Sequence, residues 1–180
     1  MKKSLLLTTL LLIASFSYAQ VLDFTSGITV DTNYDTFGST TSGSGITFSG
    51  SDLGNVVSAY WDSAQDLSSW ATATEAIISG SMTTASTSVF DLVLYDSAFN
   101  TVTLSGGSWV NLDTSGSDAL VIPANSFAWN DVTAFDINTG GAGDTVAGTL
   151  TGVSVVPEPS TYALIAGFAA FLFVAIRRRK

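Results

Sequence analysis

The chain has 180 residues, a formal net charge of −9, and neither histidine nor cysteine. All six cations lie at the two ends, because no Lys or Arg occurs between residues 4 and 176, whereas that stretch contains all 15 acids. Such a body repels phosphate backbones, so we expect no nucleic-acid binding. It also cannot build a Ser-His-Asp triad, a Cys-His pair, a His-ligated zinc site or a Schiff base. One route to catalysis remains, a pair of carboxylates that hydrolyses a glycosidic bond.

The first 19 residues have the pattern of a secretory signal peptide. Two lysines form a positive n-region, residues 5–13 are apolar, and Ser17-Tyr18-Ala19 is a small-x-small cleavage site. Cleavage after Ala19 would leave Gln20 as the mature N-terminus. The apolar stretch is too short to span a hydrocarbon core of ~30 Å, so we predict a removable signal rather than an N-terminal anchor.

The body, residues 20–155, is rich in Thr, Ser and Gly and shows the two-residue alternation of strands. Strands are predicted at Val21 to Phe24, Gly45 to Gly50, Val56 to Trp61, Glu75 to Met82, Ser88 to Tyr95, Thr101 to Ser105, Asp118 to Ile122, Val132 to Ile137 and Thr145 to Val156. Turn signals separate them at the spacing of a sandwich, the clearest being the glycine-rich segment 139–144. We therefore expect one all-β domain, an antiparallel β-sandwich.

The last 25 residues combine three elements in a fixed order. They are an extended segment with two prolines, Val156-Pro157-Glu158-Pro159-Ser160-Thr161, then the almost wholly apolar residues 162–176, and then Arg177-Arg178-Arg179-Lys180. As a transmembrane helix, residues 162–176 would cover only about 22 Å of a ~30 Å core at ~1.5 Å per residue. The basic end would stay cytoplasmic by the positive-inside rule. A marginal span suits a tail that is removed, and an ordinary single-span anchor is the alternative.

This tail resembles the PEP-CTERM sorting signal of Gram-negative bacteria. Pro157-Glu158-Pro159 matches the signature triplet, and the hydrophobic segment and the Arg cluster follow it. The resemblance covers residues 155–180 and implies processing by an exosortase, a membrane protease, in a setting of exopolysaccharide production. It further implies a precursor tethered transiently to the inner membrane, and then a location at the cell surface or in the extracellular matrix. In Asp66-Leu67-Ser68-Ser69-Trp70, in the strands of Ser88 to Asp96 and Asn100 to Ser105, and in Val132 to Thr145 before a last long strand, the body also resembles jelly-roll carbohydrate-binding modules. This resemblance implies a jelly-roll-like arrangement of the sandwich.

Two sets of side chains are candidate ligand-binding residues. Aromatic rings stack on sugars without needing charge, and the candidates are the four tryptophans with Tyr60 and Tyr95. Trp70 and Trp109 are the preferred pair, because they lie near predicted turns, where a ring would be exposed.

Calcium is the second candidate ligand. Its candidates are Asp31, Asn33 and Asp35, which offer oxygen atoms at positions one, three and five of a calcium loop. Positions six and twelve lack the Gly and Glu of an EF-hand, so a simple polar turn is the alternative.

The positions of the acidic residues predict little catalytic activity. Glu75, Asp91 and Asp96 lie in or beside strands, and we expect Glu75 and Asp96 to be solvated strand ends. Asp91 would need a hydrogen-bonding or metal partner if it were buried. Repulsion among so many acids predicts raised carboxyl pKa values.

Taken together, the sequence predicts an exported, non-enzymatic surface or matrix protein. We expect a structural or adhesive role with binding of extracellular polysaccharide, and no cofactor besides structural calcium. A small secreted glycoside hydrolase or lyase with paired carboxylates is the alternative function.

Overall fold

The computed structural model describes residues 20–155, 167–169 and 171. Residues 167–169 and 171 are helical and exposed. The predicted signal peptide with Ala19, the sorting residues 156–161, the basic end 177–180 and the rest of the predicted membrane helix 162–176 lie outside the described residues. Among the residues described, no helix has both the length and the apolar character that a membrane crossing requires.

Eleven strands form in the described part of the chain. They are β1 (Val21–Asp23), β2 (Ile28–Val30), β3 (Thr40–Ser42), β4 (Gly45–Ser51), β5 (Val56–Gln65), β6 (Glu75–Thr84), β7 (Val89–Asp96), β8 (Thr101–Ser108), β9 (Ser117–Val121), β10 (Val132–Thr139) and β11 (Thr145–Val155). A 3₁₀ turn (Ser68–Thr72) follows β5, and the helix α1 (Trp109–Ser115) follows β8.

The strands form two antiparallel layers. Sheet I has the order β3-β4-β11-β6-β9, with β1 pairing to β11 beyond the end of β4. Sheet II has the order β2-β5-β10-β7-β8. One residue pair, Ser105 with Val121, joins the two sheets between β8 and β9. The prediction of an all-β, antiparallel, jelly-roll-like sandwich is confirmed.

A single apolar core contains side chains from both sheets. Trp109 bridges them, since its ring centroid lies 4.2 Å from that of Phe90 on β7 and 5.3 Å from that of Phe48 on β4. Phe24 stacks on Phe135 of β10 at 4.6 Å. Burying such a ring stabilises the fold by roughly 1.5–3 kcal/mol, which suits a body without disulfides.

The prediction that Trp70 and Trp109 stack on sugars is wrong, because both side chains are fully buried. Trp70 packs against Trp129, and its indole N–H donates to the carbonyl of Gln20 at 3.2 Å. Trp109 opens α1 with its ring turned into the core. A turn exposes the backbone, but the large rings supply apolar area that this core needs, so they point inward.

Candidate binding face on sheet II

The outward face of sheet II carries a row of side chains that crosses all five strands. The pairing register places Thr29, Tyr60, Ala134, Tyr95 and Thr101 side by side on β2, β5, β10, β7 and β8. We call these five residues the tyrosine row. Tyr60 is 42% exposed, because strand alternation directs its two sequence neighbours into the core.

The two tyrosines flank a small residue. Neighbouring strands lie about 4.8 Å apart, so Tyr60 and Tyr95, with β10 between them, are about 10 Å apart at the backbone. Ala134 contributes only a methyl group between them. The Tyr95 hydroxyl donates to Oδ2 of Asp136 at 2.6 Å, which fixes that ring against β10. Burial is the main cause and the Asp136 carboxylate the second cause that raise the pKa of Tyr95 to about 12. The Tyr95 hydroxyl therefore stays protonated at neutral pH.

The row ends beside the turn between β7 and β8, which Asp96 organises. The Asp96 side chain is 3% exposed and accepts hydrogen bonds from the backbone N–H groups of Ala98 at 2.9 Å and Asn100 at 2.8 Å. The Asn100 side-chain amide donates to it as well, and this bond is the main reason why the pKa of Asp96 is lowered. The prediction that Asp96 is a solvated strand end is therefore wrong.

Phe99 lies in that turn with an unusual backbone conformation. Its φ is 62° and its side chain is 84% exposed. A bulky residue with positive φ costs free energy, and an exposed apolar ring does nothing to offset that cost. Strain of this kind favours a role in contacting a ligand. Phe99 thus presents an exposed aromatic ring in the turn that joins Tyr95 on β7 to Thr101 on β8.

Two carboxylates share the outward face of sheet II. Asp136 pairs with Val93 and Asn138 pairs with Asp91, so Asp136 and Asp91 are diagonal neighbours on β10 and β7. Residues in that relation lie about 7–8 Å apart. Asp91 is half-buried, so it does not need the partner that full burial would require. Glu75 is exposed at the start of β6 in the other sheet, as predicted for a strand end.

The outward face of sheet I has a different chemistry. Thr40, Thr47, Thr149 and Ser81 form a row of hydroxyl side chains across β3, β4, β11 and β6. The hydroxyl oxygens of Thr47 and Thr149 are 3.0 Å apart. No acid occurs on β3, β4 or β11. The described domain therefore has one face that combines aromatic and acidic groups and another that is uncharged at its centre.

A buried carboxylate that the sequence analysis missed ties several loops together. Asp52 is fully buried; its Oδ2 accepts from the Ser86 hydroxyl at 2.6 Å and its Oδ1 from the Gly143 N–H at 2.8 Å. Its backbone carbonyl accepts from the Gly141 N–H at 2.8 Å. Hydrogen bonds from the hydroxyls of Ser86 and then Ser88 lower the pKa of Asp52.

The glycine-rich turn 139–144 is shaped around this carboxylate. A Cβ atom on Gly141 would lie 2.0 Å from the carboxyl carbon of Asp52, so no larger residue fits there without movement. The glycines were a signal that something approaches the backbone closely. Nothing in the sequence around Asp52 identified it as the approaching group, because the two segments are distant along the chain.

The expectation of raised carboxyl pKa values is wrong for four acids, whose pKa values are lowered by hydrogen bonds. They are Asp23, Asp52, Asp66 and Asp96, where the largest cause is a side-chain hydrogen bond from Thr25, Ser86, Ser68 and Asn100 respectively. Hydroxyl and amide donors replace the missing cations at these positions.

The predicted calcium loop is a hydrogen-bonded turn. Oδ1 of Asp31 accepts from the Asn33 N–H at 3.0 Å, while the Asp35 carboxylate accepts from the N–H and hydroxyl of Ser39 at 2.8 and 2.6 Å. The two carboxylates thus serve different parts of the loop. Within residues 20–155, 167–169 and 171 no group of three or more acidic, His or Cys side chains is placed to hold a metal ion. Calcium binding at Asp31, Asn33 and Asp35 stays a prediction.

Known proteins match the chain in its tail and in its fold. The body is structurally similar to Xylanase10C from Cellvibrio japonicus in complex with xylopentaose, with a TM-score of 0.44 and 13% identity, over 77% of this chain and only 29% of that one. It is also similar to Crh5 transglycosylase in complex with NAG, with a TM-score of 0.37 and 11% identity, over 77% of this chain and 84% of that one. A search of curated proteins finds no match.

The tail has a specific match. A family model described as the PEP-CTERM protein-sorting motif matches residues 155–180, which confirms the resemblance carried by Pro157-Glu158-Pro159. This motif implies export through the membrane, display at the surface and processing by an exosortase. The chain therefore carries a PEP-CTERM protein-sorting motif over residues 155–180.

Proposed function

We propose that the exported body is a non-enzymatic, structural or adhesive protein of the cell surface or extracellular matrix, and that it binds glycan through the tyrosine row. The observation that carries this proposal is the pair of outward tyrosines, Tyr60 and Tyr95, on either side of Ala134. The apolar face of a sugar ring packs on an aromatic ring, and a spacing of about 10 Å is comparable to the length of a disaccharide.

Polar groups beside the rings suit the hydroxyls of a sugar. Thr29 and Thr101 place hydroxyl groups at the two ends of the row, and Asp136 offers a carboxylate oxygen next to Tyr95. The hydrogen bond to Asp136 holds the Tyr95 ring in place before binding. Less side-chain entropy is then lost in the complex, which favours affinity.

Charge restricts the glycan that this face accepts. Residues 20–155 contain no Lys, Arg or His, so a uronate finds no cation to pair with. Asp62, Asp91 and Asp136 are acids at outward strand positions of sheet II, and Asp62 lies within 3.5 Å of the Thr29 hydroxyl. Their carboxylates repel an anionic polymer that approaches the row. The ligand is therefore a neutral or amine-bearing polysaccharide.

Affinity electrophoresis of Gln20–Val156 in gels that contain one polysaccharide each tests the proposal. Xylan and cellulose derivatives represent neutral polymers, partly deacetylated chitosan an amine-bearing one, and polygalacturonate an anionic one, each run with chelator present. We expect neutral or amine-bearing polymers to retard the protein and polygalacturonate not to. Equal mobility in every gel would contradict glycan binding, and retardation by polygalacturonate alone would contradict the charge argument.

A second candidate function is glycoside hydrolysis, and the diagonal pair Asp91 and Asp136 favours it. Glycosidases use two carboxyl groups that flank the scissile bond, and these two acids lie on one face of neighbouring strands. In that case incubation with a polysaccharide releases new reducing ends, and Asp91→Asn or Asp136→Asn stops the release. Binding without any release of reducing ends supports the non-enzymatic function.

A further inference from the structure

The structure holds Gln20, the predicted first residue after signal-peptide cleavage, in a defined position. Its side-chain oxygen Oε1 accepts hydrogen bonds from the N–H of Ser69 at 3.1 Å and from the Ser69 hydroxyl at 2.8 Å. Its backbone carbonyl accepts from the indole N–H of the fully buried Trp70 at 3.2 Å. The side-chain oxygen and the backbone carbonyl of this residue are therefore both held by the 3₁₀ turn Ser68–Thr72.

We propose that Gln20 becomes pyroglutamate once the bond to Ala19 has been cut, and that Ser69 promotes the ring closure. The free α-amine nitrogen of Gln20 bonds to its own Cδ, and the Cδ–Nε2 bond breaks. One amine proton passes to the departing nitrogen, which leaves as ammonia. The product is a five-membered lactam whose carbonyl oxygen is the former Oε1. The reaction needs no oxidant, reductant or second substrate.

Ser69 supplies what this reaction requires. As the amine attacks Cδ, negative charge develops on Oε1, and two donors aimed at that oxygen stabilise the charge in the way of an oxyanion hole. Both donors come from one residue, whose position is set by the adjacent buried Trp70.

The modification has an electrostatic consequence. The α-ammonium of Gln20 would be the only positive group between that residue and Arg177, since no Lys, Arg or His lies between them. Ring closure removes it and leaves the acids with no cation in the exported body. It also removes the free amine that aminopeptidases recognise. This inference does not depend on glycan binding, because it rests on the contacts of Gln20 and on cleavage after Ala19.

The test follows the N-terminal peptide of the full chain, expressed with its own first 19 residues in a Gram-negative host. Protein is isolated at intervals after a pulse of labelled amino acids, and its N-terminal peptide is weighed. We expect the peptide to begin at residue 20 and to lose the mass of one ammonia. Ser69→Ala should slow this loss by about three- to tenfold, the effect of one lost hydrogen bond in the transition state. Ser68→Ala is the matched control and should leave the rate unchanged.

Three results would overturn the proposal. One is a mature N-terminus at another residue, and a second is a Gln20 peptide that keeps its ammonia. The third is an equal rate of loss in the original chain, in Ser69→Ala and in protein unfolded in urea after early isolation. The urea comparison keeps the proposal falsifiable even if Ser69→Ala folds poorly, because an unfolded chain lacks the donors of the turn.

Discussion

At the residue scale, neutral hydrogen-bond donors stabilise the carboxylates, a role that cations have in most proteins. Asp52 shows this most clearly, since a fully buried carboxylate is normally costly unless it is paired. Its partners are the Ser86 hydroxyl and a backbone N–H, and they lower its pKa. A carboxyl group whose folded pKa lies below its unfolded pKa stabilises the fold at higher pH and loses that contribution as pH falls through the folded value.

Stability should therefore decrease in acid. We expect the Tm of Gln20–Val156 to be constant above about pH 5 and to fall below the unfolded Asp pKa of about 3.9. Asp52→Asn should lower the Tm at neutral pH by about 5 °C or more, because a donor replaces an acceptor at buried hydrogen bonds, and should weaken the acid dependence. Asp113→Asn, at an exposed position on α1, is the control. A Tm that rises on acidification would contradict this prediction and would show that repulsion among the carboxylates dominates the pH dependence of stability.

At the element scale, the longer strands were predictable, whereas β1 was the only three-residue strand that the sequence predicted. In β8, Val102 and Leu104 alternate with hydroxyl residues over enough positions to show a two-residue period. β2 (Ile28–Val30) and β3 (Thr40–Ser42) have three residues each, too few for a period to be visible. The helix α1 has only seven residues, and it ends at Gly116 in the left-handed conformation, with φ of 72°. Its formation depends on burial of Trp109, a tertiary effect.

The turn between β7 and β8 allows a direct test of strain at Phe99. Glycine adopts positive φ freely and alanine does not. Phe99→Gly should therefore be more stable than Phe99→Ala by about 1 kcal/mol, measured by urea unfolding of Gln20–Val156. Both variants lose the same exposed ring, so their difference isolates the backbone. Equal stability of the two variants would show that the conformation at residue 99 carries no strain.

At the scale of the whole molecule, the two sheets present different surfaces to the exterior. Sequence reasoning included Tyr60 and Tyr95 among the aromatic candidates, but it preferred Trp70 and Trp109. The sequence could not show which of these four rings are exposed, because exposure depends on which face of the sandwich each ring occupies. The row of Tyr60 and Tyr95 arises from pairing between β5, β10 and β7, which are not consecutive in the chain. Only the register brings these residues together.

Net charge predicts a salt effect that is separate from the hydrogen bonds of individual acids. All acids except Glu158 lie within residues 20–155, without a cation among them. Their long-range repulsion is screened over about 8–10 Å at moderate ionic strength, so sodium chloride should raise the Tm of Gln20–Val156 near neutral pH. Calcium at matched ionic strength should raise it further if the loop of Asp31, Asn33 and Asp35 binds the ion. Identical effects of the two salts would exclude specific binding, and no effect of either would contradict the repulsion argument.

The measurement that tests the central claim most directly is the dissociation constant of Gln20–Val156 for the polysaccharide that retards it most, determined by calorimetry for three variants. Tyr60→Ala removes a ring from the tyrosine row, Tyr60→Phe keeps the ring without the hydroxyl, and Thr47→Ala alters the opposite face. Stacking of one sugar on one ring is comparable to other aromatic contacts, about 0.5–1.5 kcal/mol beyond area burial, so Tyr60→Ala should weaken binding by roughly tenfold. Tyr60→Phe and Thr47→Ala should bind within about twofold of the original chain. Unchanged affinity in Tyr60→Ala, or a loss in Thr47→Ala instead, would contradict a binding face on sheet II.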